Sequence, residues 1–364
     1  MKPTKKQFFK RQTTLKEIGH EGQEKLQNAK VLVVGCGGLG SPIAVYLASS
    51  GVGELHLVDF DRIDTTNLHR QVFYSLDAIG KSKAETLAKF IEKRAPFTNV
   101  TFSETPVIKS NVFQLISEVD IVVDGTDSLP TKYLLNDACV LKNKPLVYGS
   151  LYKFDGYVAS FNVQQEDGSF SANLRDAFPE MATDIPNCEE AGTLNAIVGI
   201  IAMQQVNEVL KLITGIGCLL TNQLLIYNSL ENSQLKMQLK NTVTKRIIEA
   251  VFDKETYVDA SCEVQNSAWL ISPEELKREL SGQSQLRPIM ISVIENQEIN
   301  YPFLIDQHIP LSELSTNNLV IEKDKKHVIV CQQGVTSYIA TTLLKAQYPK
   351  ADIVSLSGGL EGFS

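Results

Sequence analysis

The sequence predicts an α/β fold: a Rossmann-like, mainly parallel sheet with helices on both faces, followed by a second, small α/β domain. Two observations support this prediction. Apolar strand segments alternate with amphipathic helical segments from Lys30 onward, as in a parallel sheet. A polar stretch then separates this part from a shorter α/β pattern near the C-terminus. The length, 364 residues, is sufficient for two domain cores.

Within the first domain, the predicted segments follow one another in a regular order. Short apolar strands are separated by helical segments, one of which, at residues 81–95, carries its apolar side chains on a single face. A further strand follows Gly156, and a long apolar helix over residues 194–213 ends at Gly215. The other strands are expected at residues 31–34, 55–58, 121–123, 146–148, 223–227 and 234–239.

The domain boundaries follow from the composition. We expect a first domain at residues 1–240, a polar linker without clear periodicity at residues 241–266, and a second domain at residues 267–364. The second domain is predicted to contain helices at residues 273–280 and 336–346 and a strand at residues 327–330.

The bulk composition excludes several classes of function. A formal net charge of -7 gives no basic excess for binding nucleic acid or an anionic membrane. The first ten residues lack the apolar core of a signal peptide, and no run approaches the ~20 apolar residues that cross a bilayer. We therefore expect a cytoplasmic protein. The six cysteines stand singly, without a CxxC pair, which favours a nucleophile over a disulfide framework or a zinc site.

A glycine-rich turn marks the expected nucleotide site. The strand VLVV leads directly into GCGGLG, residues 35–40, and then into a helix. Glycines allow the close approach of a phosphate, which free N–H groups at the start of the helix can bind. Asp59 ends the next strand, where its carboxylate can hold ribose hydroxyls. Up to this point the pattern fits ATP and NAD equally well.

The residues after Asp59 favour ATP over NAD. A triphosphate under attack needs several cations around its developing charge, and Arg70 and Lys83 can supply them. Asp127 follows the strand DIVVDG, where its carboxylate can hold Mg²⁺. Taken singly, these residues have ordinary structural explanations: a surface ion pair, a solvated lysine and a helix N-cap. Their joint order along the chain decides for ATP.

That order resembles the MoeB/ThiF/HesA group of the ubiquitin-activating-enzyme-like superfamily, whose members adenylylate sulfur-carrier proteins. The resemblance spans nearly the whole first 240 residues, and its motifs are specific. The matching pieces are Arg11 with Gln12, GCGGLG at 35–40, DFD at 59–61, NLHRQ at 67–71, GKSKA at 80–84, DGTDS at 124–128, KYLLNDAC at 132–139 and PNCEEAG at 186–192.

The resemblance implies an ATP and Mg²⁺ site. Asp127 is then the magnesium ligand and catalytic carboxylate, and Arg70 and Lys83 are catalytic cations. Arg11 in this group reaches into the site of the neighbouring subunit, which implies a homodimer. The residues implied to bind the nucleotide are Gly38, Gly40, Asp59, Asp61, Asn67, Arg70, Gln71, Lys83, Asp127 and Ser128.

The implied reaction is ATP-dependent adenylylation of the C-terminal glycine carboxylate of a ubiquitin-like sulfur carrier ending in Gly-Gly, followed by sulfur transfer. A carboxylate has a poor leaving group, whereas an acyl-adenylate can be displaced by sulfur. The sequence does not distinguish thiamin, molybdopterin and tRNA thiolation pathways. Cys188 matches a position that links to the carrier or carries sulfur; the alternative is an ordinary loop cysteine.

The sequence departs from the group at three places, one of which is the pair Phe9 and Lys10 before Arg11, where the group often has an aromatic-polar pair. Asn173 and Asp176 stand where many members have the first of two CxxC pairs that bind zinc, and nothing after Leu239 resembles the second pair. No structural zinc is therefore expected. Ser128 replaces the usual asparagine after Asp127, which keeps a group capable of hydrogen bonding.

The C-terminal part resembles a degenerate rhodanese domain. Cys331 ends a strand and opens a loop that runs into a helix, where loop amides and the helix dipole can stabilise a thiolate or a persulfide. Gln332 and Thr336 stand where the family has arginines, so thiosulfate is not the expected donor. A persulfide from a cysteine desulfurase is expected instead. The alternative is a vestigial domain that only docks partners.

Three other functions remain as alternatives. An enzyme that adenylylates a peptide or small carboxylate would leave the rhodanese-like part without purpose. A nicotinamide-dependent oxidoreductase would explain the glycine loop and Asp59 but leave Arg70, Lys83 and Asp127 unexplained. A scaffold without turnover would need none of these residues or Arg11.

Overall fold

The computed structural model describes residues 3–181, 192–255, 257, 267–282, 287–294, 301–311, 314, 319–322, 324–332 and 334–363. The chain divides into two compact units, Met1–Asp259 and Ala260–Ser364. Each unit is described by itself.

The first unit is built on a mainly parallel sheet, as predicted. Its eight strands lie in the order β3-β2-β1-β4-β5-β6-β7-β8. The pairs from β3 to β5 are parallel, and the pairs from β5 to β8 are antiparallel. The strands are β1 Lys30–Val34, β2 Glu54–Val58, β3 Asn99–Ser103, β4 Ile121–Asp124, β5 Leu146–Tyr152, β6 Asp155–Phe161, β7 Gln223–Asn228 and β8 Ser233–Gln238.

Helices cover both faces of this sheet and enclose two apolar clusters. Leu26, Ile43 and Leu87 belong to the cluster on one face, and Val112 and Tyr133 belong to the cluster on the other. The described helices are α1 Lys5–Phe8, α2 Lys10–Thr13, α3 Gly19–Asn28, α4 Gly40–Ser50, α5 Lys83–Arg94, α6 Val112–Ser117, α7 Leu129–Lys142, α8 Leu174–Ala177, α9 Asn195–Thr214 and α10 Lys245–Lys254.

Helix α9 has 20 residues and a mean hydropathy of 1.4, so by length and composition it could cross a membrane. In this fold it is a core helix, and two of its buried polar side chains hydrogen-bond inside the unit. Gln205 donates to the carbonyl oxygen of Asp124 at 2.7 Å, and Glu208 accepts from Ser160 Oγ at 2.7 Å. A Cβ atom at Gly149 would lie 2.2 Å from Gln205, so glycine lets the helix approach the sheet closely.

Helix α10 lies in the segment predicted to be a linker. Ile248 and Phe252, four residues apart, are buried, and Phe252 packs on Phe113 with ring centroids 5.0 Å apart. The Tyr257 hydroxyl then donates to Asp137 Oδ2 at 2.5 Å, where Arg175 also pairs with the carboxylate. Only these two positions of the helix are buried, and the residues around them are mostly polar. An apolar pattern of two positions is too short to reveal a helix by its periodicity.

Asn173 and Asp176, which stand where the first CxxC pair would be, are hydrogen-bonded to each other, and Asp176 also binds the chain after β8. We call this group of residues the clasp and define it as Asn173, Asp176, Thr242 and Val243. Asp176 Oδ1 accepts from the backbone N–H groups of Thr242 and Val243 at 2.7 and 2.8 Å. Asp176 Oδ2 accepts from Asn173 N and Nδ2, both at 2.9 Å. The clasp ties the chain after the last strand to helix α8.

The second unit is a five-stranded parallel sheet in the order β11-β10-β12-β13-β9, consistent with the predicted second α/β unit. Helix α12 packs on one face, and α11 and α13 pack on the other. The elements are β9 Leu270–Ile271, α11 Pro273–Leu280, β10 Ile289–Ser292, β11 Gln307–His308, β12 His327–Val330, α12 Val335–Gln347, β13 Ile353–Leu356 and α13 Gly359–Phe363.

The clasp generates a prediction about stability. Replacing Asp176 with alanine leaves the N–H groups of Thr242 and Val243 without their acceptor, which we expect to cost about 2 kcal/mol. The change should lower the unfolding temperature measured by differential scanning calorimetry. Asp167→Ala is the control, because Asp167 accepts only from Ser169 in a local turn. Equal losses in both variants would contradict a stabilising clasp.

Candidate functional site

The candidate site lies where the strand order reverses, between β1 and β4. Ligands of open α/β sheets bind at such a switch point, outside the carboxyl ends of the strands. The glycine turn follows β1, Asp59 follows β2, and the loop with Asp127 follows β4. The topology therefore brings three separately predicted segments to one edge of the sheet.

Three glycines pack the loops after β1 and β4 against each other. A Cβ atom at Gly40 would lie 1.7 Å from the carbonyl oxygen of Gly35, and one at Gly35 would lie 2.7 Å from that of Gly125. Gly35 also has a φ of +87°, which side chains disfavour. Only glycine permits this approach of backbone to backbone. Within the described chain, the N–H groups of Gly37 and Gly38 have no acceptor.

Asp59 holds the glycine turn in place. Its Oδ2 accepts from the backbone N–H of Cys36 at 2.6 Å, and its Oδ1 accepts from that of Asp61 at 2.8 Å. Burial raises the pKa of Asp59 to about 6, although the positive charge of Lys83 opposes this rise. Asp59 is thus ionised at neutral pH, and each oxygen keeps a lone pair for a further donor.

Lys83 lies among carboxylates and is not a solvated lysine. Its side chain is 6% exposed, and its Nζ donates to Asp61 Oδ2 at 2.7 Å. Burial opposes its charge, but the negative charges of Asp59, Asp61 and Asp127 outweigh this effect and raise the pKa of Lys83. The lysine therefore stays protonated, and its charge links the loops after β2 and β4.

Arg70 is positioned by a neighbouring amide. Its Nη2 donates to the side-chain oxygen of buried Asn67 at 2.7 Å, and no ion pair of Arg70 occurs among the described residues. Its Cγ would lie 3.7 Å from a Cβ atom at Gly38, so the side chain packs on the glycine turn. Gln71 is 3% exposed, and its Oε1 has no partner in the described structure.

Asp127 is not the N-cap of the helix that follows. Ser128 takes that role, because its Oγ accepts from the backbone N–H of Thr131 at 3.3 Å. The Asp127 side chain is exposed, and no described donor contacts its carboxylate. Among the residues described, it is the exposed carboxylate of the loop after β4.

Two buried contacts that support the site were not identified from the sequence. Lys132 Nζ donates to Asp124 Oδ2 at 2.9 Å and to the carbonyl oxygen of Gly149 at 2.7 Å. Asp124 Oδ1 in turn accepts from Thr126 N at 3.0 Å, which shapes the turn that carries Asp127. A lone lysine amid apolar residues of α7 was the available signal, since a buried lysine needs a carboxylate partner.

Tyr74 is the second supporting residue. Its hydroxyl donates to the carbonyl oxygen of Cys36 at 2.7 Å and also contacts that of Lys83 at 3.2 Å. Burial raises the pKa of Tyr74, so the hydroxyl stays a donor. No local sequence pattern predicts this contact, because it joins residues 38 positions apart.

Arg11 does not join the site of its own chain. It is exposed on α2, and its neighbour Gln12 donates to the carbonyl oxygen of Ser50 at 2.9 Å. Ser50 ends α4, whose eleven residues extend about 15 Å away from the glycine turn. Helix α2 therefore packs at the opposite end of α4.

The two candidate sulfur-handling cysteines have different outcomes. Cys188 lies outside the described residues. Cys331 follows β12 in the second unit and is 2% exposed. Its Sγ accepts from the backbone N–H of Gly334 at 3.1 Å and contacts Ser337 Oγ at 3.2 Å. Cys331 thus follows the strand and opens the short loop that leads into α12, as expected.

The fold and these residues define a class: a Rossmann-like α/β protein with a charged cluster at the switch point of its sheet. Comparison with known families specifies it further. The ThiF family matches residues 9–246, and the chain belongs to this family. The predicted family and fold class are thereby confirmed.

Individual relatives agree with this assignment. The probable adenylyltransferase/sulfurtransferase MoeZ of Mycobacterium tuberculosis (strain CDC 1551 / Oshkosh) is 36% identical over 364 residues, 97% of this chain and 91% of that protein. The sulfur carrier protein adenylyltransferase of Thermus thermophilus is 38% identical over 234 residues, 64% of this chain and 86% of that protein. Among solved structures, E. coli MccB with ATP has a TM-score of 0.55 and 25% identity, covering 61% of this chain and 67% of that chain. The chain is an adenylyltransferase.

The packing of the glycine turn can be tested by a pair of substitutions. Gly40→Ala forces a Cβ atom into the backbone of Gly35, and we expect a loss of about 3 kcal/mol of unfolding free energy. Gly37→Ala is the matched control, because its nearest neighbour would be the flexible end of Gln71 at 3.4 Å. Urea denaturation without nucleotide measures both. A stable Gly40→Ala variant would disprove the close contact.

Proposed function

We propose that the chain uses ATP and Mg²⁺ to adenylylate the C-terminal glycine carboxylate of a ubiquitin-like sulfur carrier ending in Gly-Gly. The observation that carries this proposal is the buried Lys83 at the switch point, whose Nζ donates to Asp61 Oδ2 at 2.7 Å. The negative charges of Asp59 and Asp127 act on the same lysine. A dinucleotide enzyme has no need of such a charged cluster, whereas a reacting triphosphate does.

The nucleotide is held by contacts of several kinds. Free N–H groups of the glycine turn, at Gly37 and Gly38, suit phosphate oxygens. Asp59 accepts from the ribose hydroxyls, and Asp61, Asn67 and Gln71 complete the site together with Gly40 and Ser128. The Oε1 of Gln71 is a buried acceptor without a partner in the described chain, which is consistent with a ligand donor there.

Asp127 is the residue we assign to the metal. An exposed carboxylate at the carboxyl end of a strand suits Mg²⁺, which takes one or two carboxylates together with substrate phosphates. When bound, the ion neutralises part of the phosphate charge. Lys83 and Arg70 supply the remaining positive charge from this chain.

The reaction joins two anions. The carrier carboxylate attacks the α-phosphorus of ATP, the bond to the β-phosphate oxygen breaks, and pyrophosphate leaves with its electron pair. The protein mainly orients the two anions and offsets their repulsion, which Lys83 and Arg70 can do from fixed positions. The acyl-adenylate product carries a leaving group that sulfur can displace.

We further propose that Arg11 acts in the site of a second copy, so that the enzyme is a homodimer. Arg11 is exposed, and its helix packs about 15 Å from the glycine turn of its own chain. Three exposed apolar side chains, Val72, Leu76 and Ile79, lie in the chain between the NLHRQ and GKSKA motifs. Such a patch favours a protein contact beside the site.

The second unit is proposed to handle sulfur. The MoeZ relative, named an adenylyltransferase/sulfurtransferase, matches 97% of this chain, which supports a role for both units. We propose that Cys331 accepts sulfur from a cysteine desulfurase persulfide and that Cys188 receives or transfers it. The same proposal includes an adenylyltransferase domain at residues 1–240 and a rhodanese-like domain at residues 267–364. It also includes a cytoplasmic location.

ATP–pyrophosphate exchange tests the adenylation step. With purified carriers ending in Gly-Gly, wild-type protein should catalyse exchange, and Asp127→Ala and Lys83→Met should lose roughly 100-fold or more. Lys81→Met is the matched control, because Lys81 is exposed two residues before Lys83. Exchange with small carboxylates or peptides but not with carriers would show that the substrate is not a carrier protein. The absence of exchange with every substrate would refute adenylation.

Mixed dimers test the role of Arg11. Arg11→Ala and Asp127→Ala should each be inactive alone. Random mixing of the two should restore about one quarter of wild-type exchange, because half of the dimers then contain one intact site of two. The mixture must be refolded or co-expressed so that subunits exchange. If mixing restores nothing while Arg11→Ala alone is inactive, Arg11 acts within its own chain.

A further inference from the structure

The thiol of Cys331 has hydroxyl neighbours that no function considered above uses. Cys331 Sγ contacts Ser337 Oγ at 3.2 Å, and Ser355 Oγ donates to Ser337 Oγ at 2.8 Å. Both serines are completely buried. The apolar cluster around the sulfur includes Ile291, Val293, Ile329, Ala340 and Leu344. A buried hydroxyl in apolar surroundings needs a hydrogen-bond partner, and here the partners are the sulfur and the other serine.

The loop around the sulfur is closely fixed. Gly334 has a φ of +85°, and its N–H donates to Cys331 Sγ at 3.1 Å. A Cβ atom at Gly359 would lie 2.4 Å from the nitrogen of Gly334 and 2.5 Å from the carbonyl oxygen of Cys331. The Leu360 N–H donates to that same carbonyl oxygen at 3.0 Å. The sulfur therefore has defined donor positions around it.

We propose that Ser337, oriented by Ser355, is a positioning residue that stabilises negative charge on the sulfur of Cys331. In the thiol form, Sγ–H donates to Ser337 Oγ. When the thiol loses its proton, the Ser337 hydroxyl turns and donates to the sulfur, while Ser355 still donates to Ser337 Oγ. The thiolate then accepts from Gly334 N–H and from Ser337 O–H. This inference rests on the proposed sulfur transfer at Cys331.

The described loop offers the sulfur neutral hydrogen-bond donors. Neither Gln332, which follows Cys331, nor Thr336 carries a charge. Two hydrogen bonds to an anion in apolar surroundings are strong, because a hydrogen bond to a charged group stabilises more than one between neutral groups. A site with neutral donors favours a singly charged or neutral persulfide over a doubly charged donor such as thiosulfate.

This arrangement serves the transfer of a sulfur atom from a donor persulfide to Cys331. The Cys331 thiolate attacks the outer sulfur of a donor persulfide, R–S–SH. The new S–S bond forms as the donor S–S bond breaks, and the donor leaves as R–S⁻ with the bonding electron pair. Cys331 becomes Cys331–S–SH, and no external oxidant or reductant is needed.

The first measurement is the rate of alkylation of Cys331 by iodoacetamide as a function of pH, read on the Cys331 peptide by mass spectrometry in the full chain. Ser337→Ala should slow the reaction about tenfold at neutral pH and approach the wild-type rate at high pH, where no hydrogen bond is needed to form the thiolate. Ser355→Ala should give a smaller effect in the same direction, and Ser337→Thr should restore the wild-type profile.

Thr341→Val is the matched control. Thr341 is equally buried on α12, and its hydroxyl donates to the carbonyl oxygen of Ser337 without contacting the sulfur. A structural disturbance of the helix would change alkylation at every pH and in this variant too. An unchanged pH profile in Ser337→Ala, an equal effect in Thr341→Val, or a Cys331 that is unreactive at all pH values would overturn the inference.

A second measurement separates this inference from the proposed sulfur transfer. Wild-type protein is treated with disodium disulfide, and the Cys331 peptide is examined for the added mass of one sulfur atom. Persulfidation that is slowed in Ser337→Ala supports both proposals. If wild-type Cys331 takes up no sulfur but shows the predicted alkylation profile, the sulfur transfer fails while the positioning role of Ser337 stands.

Discussion

The first unit depends on one contact between backbones at the switch point of its sheet. Gly35, Gly40 and Gly125 let the turn after β1 lie directly on the loop after β4, with no space for a Cβ atom. This contact fixes the start of α4 next to the loop that carries Asp127. Asp59 then ties the turn to the end of β2 through the Cys36 N–H. A charged site assembled from three loops needs such a rigid base, because misplacement by an ångström weakens each electrostatic contact.

The charge balance at the described site supports the proposed use of cations from outside this chain. Asp59, Asp61 and Asp127 bring three negative charges toward Lys83, and their attraction is what raises the pKa of that lysine. A triphosphate would add further negative charge to this cluster. Arg70, held by Asn67 rather than by a carboxylate, keeps its charge available. Additional positive charge has to come from outside the chain's own site, which is where a metal ion and the Arg11 of a second copy enter the proposal.

Features that depend on residues close together in the chain could be predicted from the sequence, whereas contacts between distant residues could not. Asp59, Lys83 and Asp127 stand in local motifs next to strands, so their arrival at one sheet edge could be predicted. The roles of Tyr74 and Lys132 could not, because each is defined by a partner distant in the chain or on another element. Strand β3 was missed because it lies at the edge of the sheet, where only Val100 among its five residues is buried. Helix α10 was missed because its buried stripe has only two positions.

The two units solve a similar problem with different chemistry. In each, a strand ends in a short turn that contains glycine and leads into a helix. In the first unit the N–H groups of Gly37 and Gly38 have no described acceptor, and in the second the N–H of Gly334 donates to the sulfur of Cys331. The first unit surrounds its turn with lysine and arginine, which suit a multiply charged phosphate chain, and with carboxylates that hold the turn and the lysine in place. The second unit surrounds Cys331 with apolar side chains and two hydroxyls. A sulfur anion carries one charge and is weakly hydrated compared with a phosphate, so neutral donors suffice.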